Sequence, residues 1–261
     1  MNSNDQYGIC RLSVIPVRNT PSEKAEMVSQ ILFGETYTIL DSKPNWLLVR
    51  LCYDEYEGWI DQKMNNNLSA ADYSQLDYNN SFVTTSVISE VRQENQRIML
   101  LTFGSTLWNI LEDKIILEHG ASDFIGTYAQ NDLPKPDRIG QYAMQFLQVP
   151  YLWGGRTVFG IDCSGLNQMV FKAAGIKLFR DAGQQATQGK TIDFIEESKT
   201  GDLAFFDNAE AEIVHAGIII EPGKIIHASG HVRIDNIDHQ GIFNLEEQTY
   251  THRLRLIKRI I

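Results

Sequence analysis

The chain has 261 residues, 43% hydrophobic and 21% charged, which is enough for two or three domains with ample core and typical of a globular protein. Its formal net charge of -10 argues against nucleic acid as a partner, because no basic face is available to neutralise phosphates, and it is equally unsuited to an anionic membrane surface. Three cysteines, an odd number, argue against a disulfide framework and fit a reducing compartment.

The start, Met1-Asn-Ser-Asn-Asp-Gln-Tyr-Gly8, lacks a basic region followed by an apolar run. No segment approaches the length of a membrane span, so the sequence as written predicts a cytoplasmic protein without a signal peptide. Residues 1–66 read as short strands separated by turn clusters: Ile9 to Val17, Glu26 to Phe33, Thr36 to Leu40, Trp46 to Tyr53, and Gly58-Trp59-Ile60. That spacing predicts a small β barrel. Residues 67–80, rich in Asn, Ser and Asp, read as a linker with a helical turn at Ser69 to Tyr73. Residues 81–131 again give short strands, at Phe82 to Ile88, Ile98 to Phe103, Leu107 to Leu111, Lys114 to Glu118 and Phe124 to Tyr128. They predict a second, degenerate barrel without a closing Gly-Trp strand. Cys10 and Cys52 lie in apolar strand-like runs and read as packing residues.

Residues 136–261 form the third region. After the stiff connector Leu133-Pro-Lys-Pro136, Asp137 is placed to cap a helix with Ile139, Tyr142, Ala143, Phe146 and Leu147 on one face, ended by Pro150. The stretch Tyr151-Leu-Trp-Gly-Gly-Arg-Thr-Val-Phe-Gly-Ile-Asp-Cys-Ser-Gly165 then runs into Leu166, Met169, Val170, Ala173 and Ala174. This is the spacing of a helical face, with Gly175 as its C-terminal cap. Cys163 therefore falls in the first turn, where unpaired backbone N–H groups favour a thiolate and lower a thiol pKa. A cysteine between Ile161 and Leu166 is also what a small buried apolar position looks like. Strands are expected at Leu203 to Phe206, Val214 to Ile220, Lys224 to Ala228, Val232 to Ile234 and Thr249 to Ile257.

Two of these strands carry a histidine each, His215 and His227. A thiol attacks well only when a base takes its proton and a third group orients that base. With a two- or four-residue loop around Pro222-Gly223, Ile220 pairs with Ile225 and the two rings face opposite sides of the sheet. An odd loop with Gly223 left-handed, or one bulge, brings them to one face as diagonal neighbours roughly 7–8 Å apart. A catalytic pair thus requires an odd register.

Tyr151-x-Trp-Gly-Gly, Asp162-Cys163-Ser-Gly, Gly201-Asp-Leu-Ala-Phe-Phe, His215-Ala-Gly-Ile and Ile226-His227-Ala-Ser-Gly resemble, in order and spacing, the motifs of the NlpC-type bacterial cell-wall cysteine peptidases. Val17-Arg18, Gly34-Glu35, Trp46 to Arg50 and Gly58 to Asp61 resemble the bacterial Src-homology-3-like barrel that often precedes them. The resemblance implies an α+β fold: a papain-like catalytic domain, helices against an antiparallel sheet, preceded by two small β barrels. It implies Cys163 as nucleophile, His215 as general base, His227 as its orienting partner, and Tyr151 assisting an oxyanion site with the Cys163 N–H.

Members with two barrels resemble γ-D-glutamyl-L-diamino acid endopeptidases of the dipeptidyl-peptidase VI type. The implied partner is a murein peptide with a free N-terminal L-Ala, cut between γ-D-Glu and diaminopimelate or lysine, in cell-wall recycling. By the same resemblance Asp162, Glu26 and Tyr56 face the substrate ammonium, and Ser164 and Asp181 complete that side. Glu26 and Tyr56 also read as solvated loop residues, and Trp153 as core or groove wall. Asp162 opposes thiolate formation in its neighbour, so its charge is expected to serve the substrate amine.

His119, His231, His239 and His252 read as surface residues. No His-Glu-x-x-His or Cys-x-x-Cys spacing is present, and no cofactor is expected; the metal alternative is a site built from Cys163, His215 and His227. Gly154-Gly155 lacks the strand-and-helix context of a phosphate loop. Two further readings stand beside the peptidase: a wall-fragment or protein binding module without activity, and an amidase or acyltransferase on the same scaffold.

Overall fold

A computed structural model describes residues 6–93, 97–117 and 120–261. The chain falls into two units, Met1–Pro134 with Trp153–Val158, and Lys135–Leu152 with Phe159–Ile261.

In the first unit, alternating apolar residues build a seven-stranded sheet in the order Met27–Leu32, Val14–Arg18, Glu57–Asp61, Trp46–Leu51, Thr36–Lys43, Gln6–Ile9, Asn67–Leu68. Its inward residues, among them Ile15, Val17, Ile31, Tyr37, Val49 and Ile60, form one core. The stretch read as a linker holds the helix Ala70–Gln75, capped by the Ser69 hydroxyl on the Asp72 N–H at 3.0 Å. Residues 82–130 give a five-stranded and a three-stranded sheet around Phe33, Val91, Leu101, Leu107 and Phe124. Several expected strands are split. Leu107 to Leu111, for instance, becomes Thr106–Leu107 and Ile110–Leu111, because Asn109 turns left-handed between them (φ 55).

Trp153–Val158, expected with the catalytic region, packs in this first unit instead. The reason is Arg156. Its buried guanidinium makes a two-pronged ion pair with Glu35 at 2.8 and 2.9 Å, and its N–H donates to Gln30 Oε1 at 2.6 Å.

In the second unit, the expected helix from Asp137 is shorter: Asp137 lies inside a 3₁₀ turn (Pro136–Arg138) begun by Pro136, and the helix proper is Ile139–Met144. The helix Cys163–Ala173 starts as predicted. Asp162 is its N-cap, accepting from the Gly165 N–H at 2.7 Å. At the other end Gly175 (φ 75) lets its own N–H reach Lys172 O at 3.0 Å and the Ile176 N–H reach Phe171 O at 2.9 Å, a Schellman ending.

This helix packs on the strands Ile213–Glu221 and Lys224–Ser229. They belong to a sheet ordered Lys190–Ile192, Thr249–Arg259, Leu203–Asp207, Ile213–Glu221, Lys224–Ser229, His231–Ile237, Gly241–Asn244. The long Thr249–Arg259 strand also pairs with Gly241–Asn244, so the last six strands close on themselves. Phe206, Ile219, Ile225, Ile237, Ile242 and Ile257 fill the closed interior. Lys190–Ile192 and Gly241–Asn244 were not expected from sequence; each is short and borders polar residues. Among the described residues no helix is long and apolar enough to cross a membrane.

Candidate active site

The two histidine strands pair as Gly217 with His227, Ile218 with Ile226, and Ile219 with Ile225, then Glu221 with Lys224 around Pro222-Gly223. Ile220 is the extra residue, a bulge, and Gly223 is left-handed (φ 76). The register is therefore odd, and both rings turn to one face. His215 Nε2 and His227 Nδ1 lie 2.9 Å apart, both residues buried. The shared parity with Ile219 and Ile225 places the pair on the inner face of the closed sheet, at its end.

One strand further, Asp235 adds a member that the sequence reading missed. Its Oδ2 lies 3.0 Å from His227 Nε2, and Arg233 donates to its Oδ1 at 3.0 Å. Burial would raise the Asp235 pKa, but hydrogen bonds from His227 and Arg233 hold it below the ordinary carboxylate value. A carboxylate only accepts, so His227 carries its proton on Nε2 and presents a bare Nδ1. His215 must then donate from Nε2, which leaves its Nδ1 lone pair free to take a proton. The chain Asp235–His227–His215 thus sets a tautomer and anchors the Nε2 corner of the His215 ring. The only sequence signal for Asp235 is its place in period two with Ile237, opposite Ile225 in the pairing.

The Cys163 sulfur sits at the helix start beside the backbone N–H groups of Ala216 and Ser164, and is 6% exposed. The expected low thiol pKa is not found. Burial first, then the Asp162 charge, push it up to about 12 against the opposing N–H groups and Arg180. Burial and the neighbouring His227 and His252 lower the His215 pKa well below 6.5. Both shifts favour the uncharged forms, a thiol and a neutral imidazole, which suits a base that takes the proton as the sulfur attacks.

Asp162 already has a cation within the protein. Its carboxylate is buried, and Arg180 holds both oxygens, at 3.0 Å from Nη1 and 2.5 Å from Nη2. Arg180 Nη1 also donates to Ser164 Oγ at 2.9 Å, and Ser164 is buried too. Asp162 and Ser164 thus build the start of the Cys163 helix, and Arg180 offsets the negative charge beside the sulfur. Tyr151 is half-buried; burial and the nearby Cys163 and Asp162 raise its pKa, so the hydroxyl keeps its proton. Asp181 is exposed and caps the short helix Ala182–Gln185.

Glu26, Tyr56 and Trp153 belong to the first unit. Glu26 is exposed and accepts from Asn19 Nδ2 at 3.0 Å, Tyr56 is half-buried, and Trp153 is 59% exposed, which corrects its core reading. Cys10 is fully buried, Cys52 is half-buried and accepts from the Tyr73 hydroxyl at 3.3 Å, and all three cysteines are free. His239 is exposed and His231 half-buried, whereas His119 lies outside the described residues. His252 corrects its surface reading: its ring stacks on His215, centroids 4.2 Å apart and planes at 27°.

The nitrogens of His215, His227 and His252 lie within 4.8 Å of one another. Their ring geometry does not suit a shared ion. An imidazole binds a metal in its own plane, and two near-parallel rings at 4.2 Å cannot both place one ion there. The arrangement is a hydrogen-bonded and stacked relay.

A thiol at a helix start, against the backbone of the strand that carries an imidazole whose tautomer is fixed by a second imidazole and a carboxylate, is the residue set of a cysteine hydrolase. Comparison with known proteins agrees. Residues 148–253 match the NlpC/P60 family and residues 17–63 the bacterial dipeptidyl-peptidase Sh3 domain. The chain is 28% identical over 225 residues to a γ-D-glutamyl-L-lysine dipeptidyl-peptidase of Bacillus cereus, covering 78% of this chain and 67% of that one. It is 26% identical over 246 residues to dipeptidyl-peptidase 6 of Lysinibacillus sphaericus, covering 84% and 88%. A crystal structure of an NlpC/P60 family protein from Bacillus cereus has the same fold, with a TM-score of 0.82 at 22% identity over 97% of this chain and 99% of that one. The carboxy-terminal region is an NlpC/P60 domain preceded by a bacterial Sh3 domain, and the protein is a cysteine peptidase.

Proposed function

We propose that this peptidase hydrolyses the bond between γ-D-glutamate and the diamino acid in peptidoglycan peptides that begin with a free L-Ala, serving the recycling of wall fragments. The observation that carries the chemistry is the Asp235–His227–His215 chain, which ends on the strand whose Ala216 N–H lies against the Cys163 sulfur. The similarity to γ-D-glutamyl-L-lysine dipeptidyl-peptidases supports the substrate class.

In this reading, Cys163 Sγ attacks the γ-glutamyl carbonyl carbon as His215 Nδ1 takes the thiol proton. The oxyanion is met by the Cys163 N–H and the Tyr151 hydroxyl. The C–N bond breaks, and His215 returns the proton to the leaving α-amine. Water, deprotonated by His215, then attacks the thioester, releasing the γ-glutamyl carboxylate and restoring the thiol. Within the second unit, Asp162, Ser164 and Asp181 are assigned to the side that takes the substrate ammonium, with Arg180 holding Asp162 and Ser164 in place.

The test is incubation with L-Ala-γ-D-Glu-L-Lys and its diaminopimelate counterpart, each with a free and an acetylated amine, read by mass. Release of L-Ala-D-Glu from the free-amine peptides only, abolished by Cys163→Ala and untouched by a chelator, is expected. Cleavage indifferent to acetylation would overturn the free-end assignment. Activity lost to a chelator and restored by zinc would overturn the thiol mechanism. A wild-type protein that binds both peptides and cuts neither would be the binding module.

A further inference from the structure

His215 is held at two points, its Cβ and the Nε2 hydrogen bond to His227. These lie on a line through the ring, so the imidazole can still swing about that line. Such a swing moves Nδ1, the one nitrogen left to take a proton, without breaking the hydrogen bond. A contact on the ring face opposes it.

Among the described residues, three rings lie against His215. His227 stands edge-on at 84° and Phe206 is tilted at 44° with centroids 5.7 Å apart. His252 alone lies near parallel, at 27° and 4.2 Å. His252 is itself anchored, with Nδ1 2.8 Å from the Thr251 hydroxyl and an edge contact to Phe206 at 5.9 Å. It also lines the surface groove formed with Asp207, His239, Tyr250 and Arg253, so it stands between the face of the base and water.

We infer that His252 is a positioning residue: its ring, stacked on His215, fixes the plane of the base and shields that face, holding Nδ1 in place for the Cys163 proton. The inference rests on the base assignment above and deepens it. Burial lowers the His252 pKa to about 4, so near neutral pH the stack is neutral at rest and becomes an imidazolium lying against a neutral ring once the proton has moved. The charged and titratable groups around His252 are His227 and Asp235 from the inner face, and Asp207, His239, Tyr250 and Arg253 along the groove.

The experiment follows the pH dependence of iodoacetamide alkylation of Cys163 in the full chain, read by mass, and so needs no peptide substrate. It compares wild type with His215→Ala, His252→Ala and His252→Phe. Alkylation of the buried Cys10 in the same samples reports any unfolding. His252→Ala should slow the His215-dependent rate about tenfold or more, as a base displaced by an ångström does. It should also move the acid limb to higher pH, because an imidazole opened to water, with one fewer neighbouring imidazole, protonates more readily. His252→Phe keeps the stack and the shield, and should restore both rate and limb. A His252→Ala profile superposing on wild type, or a His252→Phe variant as slow as the alanine, overturns the inference. If His215→Ala itself leaves Cys163 alkylation unchanged, the base assignment falls and this inference with it; failure to cut the tripeptide touches neither.

Discussion

Single side chains decide whether the thiol can be used. Asp235 makes a bare Nδ1 on His227, and through it a bare Nδ1 on His215. Asp235→Asn can donate to His227 Nε2 and reverse both tautomers, so kcat should fall on the order of 10²–10⁴-fold, as tautomer reversal does in serine peptidase triads. The thermal midpoint should change far less than kcat. Arg180 acts differently, as the cation beside the buried Asp162. Arg180→Met leaves that carboxylate without its cation and should cost about 3–5 kcal/mol, read by urea unfolding. In whatever fraction stays folded, Cys163 alkylation should slow, since the counterweight to the Asp162 charge is gone. Unfolding free energy within about 1 kcal/mol of wild type would show that the Asp162 charge is already neutralised by other means.

At the scale of elements, one surplus residue sets the chemistry. The bulge at Ile220 turns His215 and His227 to a common face, and deleting Ile220 removes it. Slippage of the Ile213–Glu221 strand by one residue would send His215 to the opposite side. Alkylation of Cys163 in that variant should lose its dependence on His215 while the circular dichroism of the sheet persists. Gly217 is the other constraint on this hairpin. A Cβ there would lie 2.8 Å from His227 Cβ and 2.9 Å from Ile226 O, and a backbone oxygen cannot step aside. Gly217→Ala should destabilise by about 1–3 kcal/mol and loosen the imidazole pair, visible as a drop in kcat larger than the change in KM.

For the molecule as a whole, the buried imidazoles make stability depend on pH. His215 and His252 have pKa values below the ordinary 6.5, so the unfolded chain takes up protons first as the pH falls. Their contribution is full above about 6.5 and is lost on acidification, toward about 4 for His252. Asp235, also lowered, adds stability present above the ordinary carboxylate range and lost below it. The thermal midpoint should therefore fall steadily from neutral pH into the acid range, and His252→Phe should flatten the upper part of that slope. A midpoint flat between pH 7 and 5 would contradict the burial of these rings. The Arg156–Glu35 pair of the first unit behaves as Arg180 does: Arg156→Met leaves a buried carboxylate and should lower the unfolding temperature of that unit.

Local chemistry is written in sequence order. A cap at Asp162, a thiol one residue on, an apolar helical face and a left-handed Gly175 were all legible, because each rests on residues a few positions apart. Two histidines on paired strands were legible as well, together with the condition that their register be odd. What the sequence could not decide is which partners arrive from elsewhere. Asp235 and His252 enter from other strands of a closed sheet, and Arg180 from beyond the helix. None carries a local pattern that separates it from an ordinary surface charge or ring. The thiol pKa followed the same division: the helix start argues for a low value from sequence, and burial, a property only of the packed fold, reverses it.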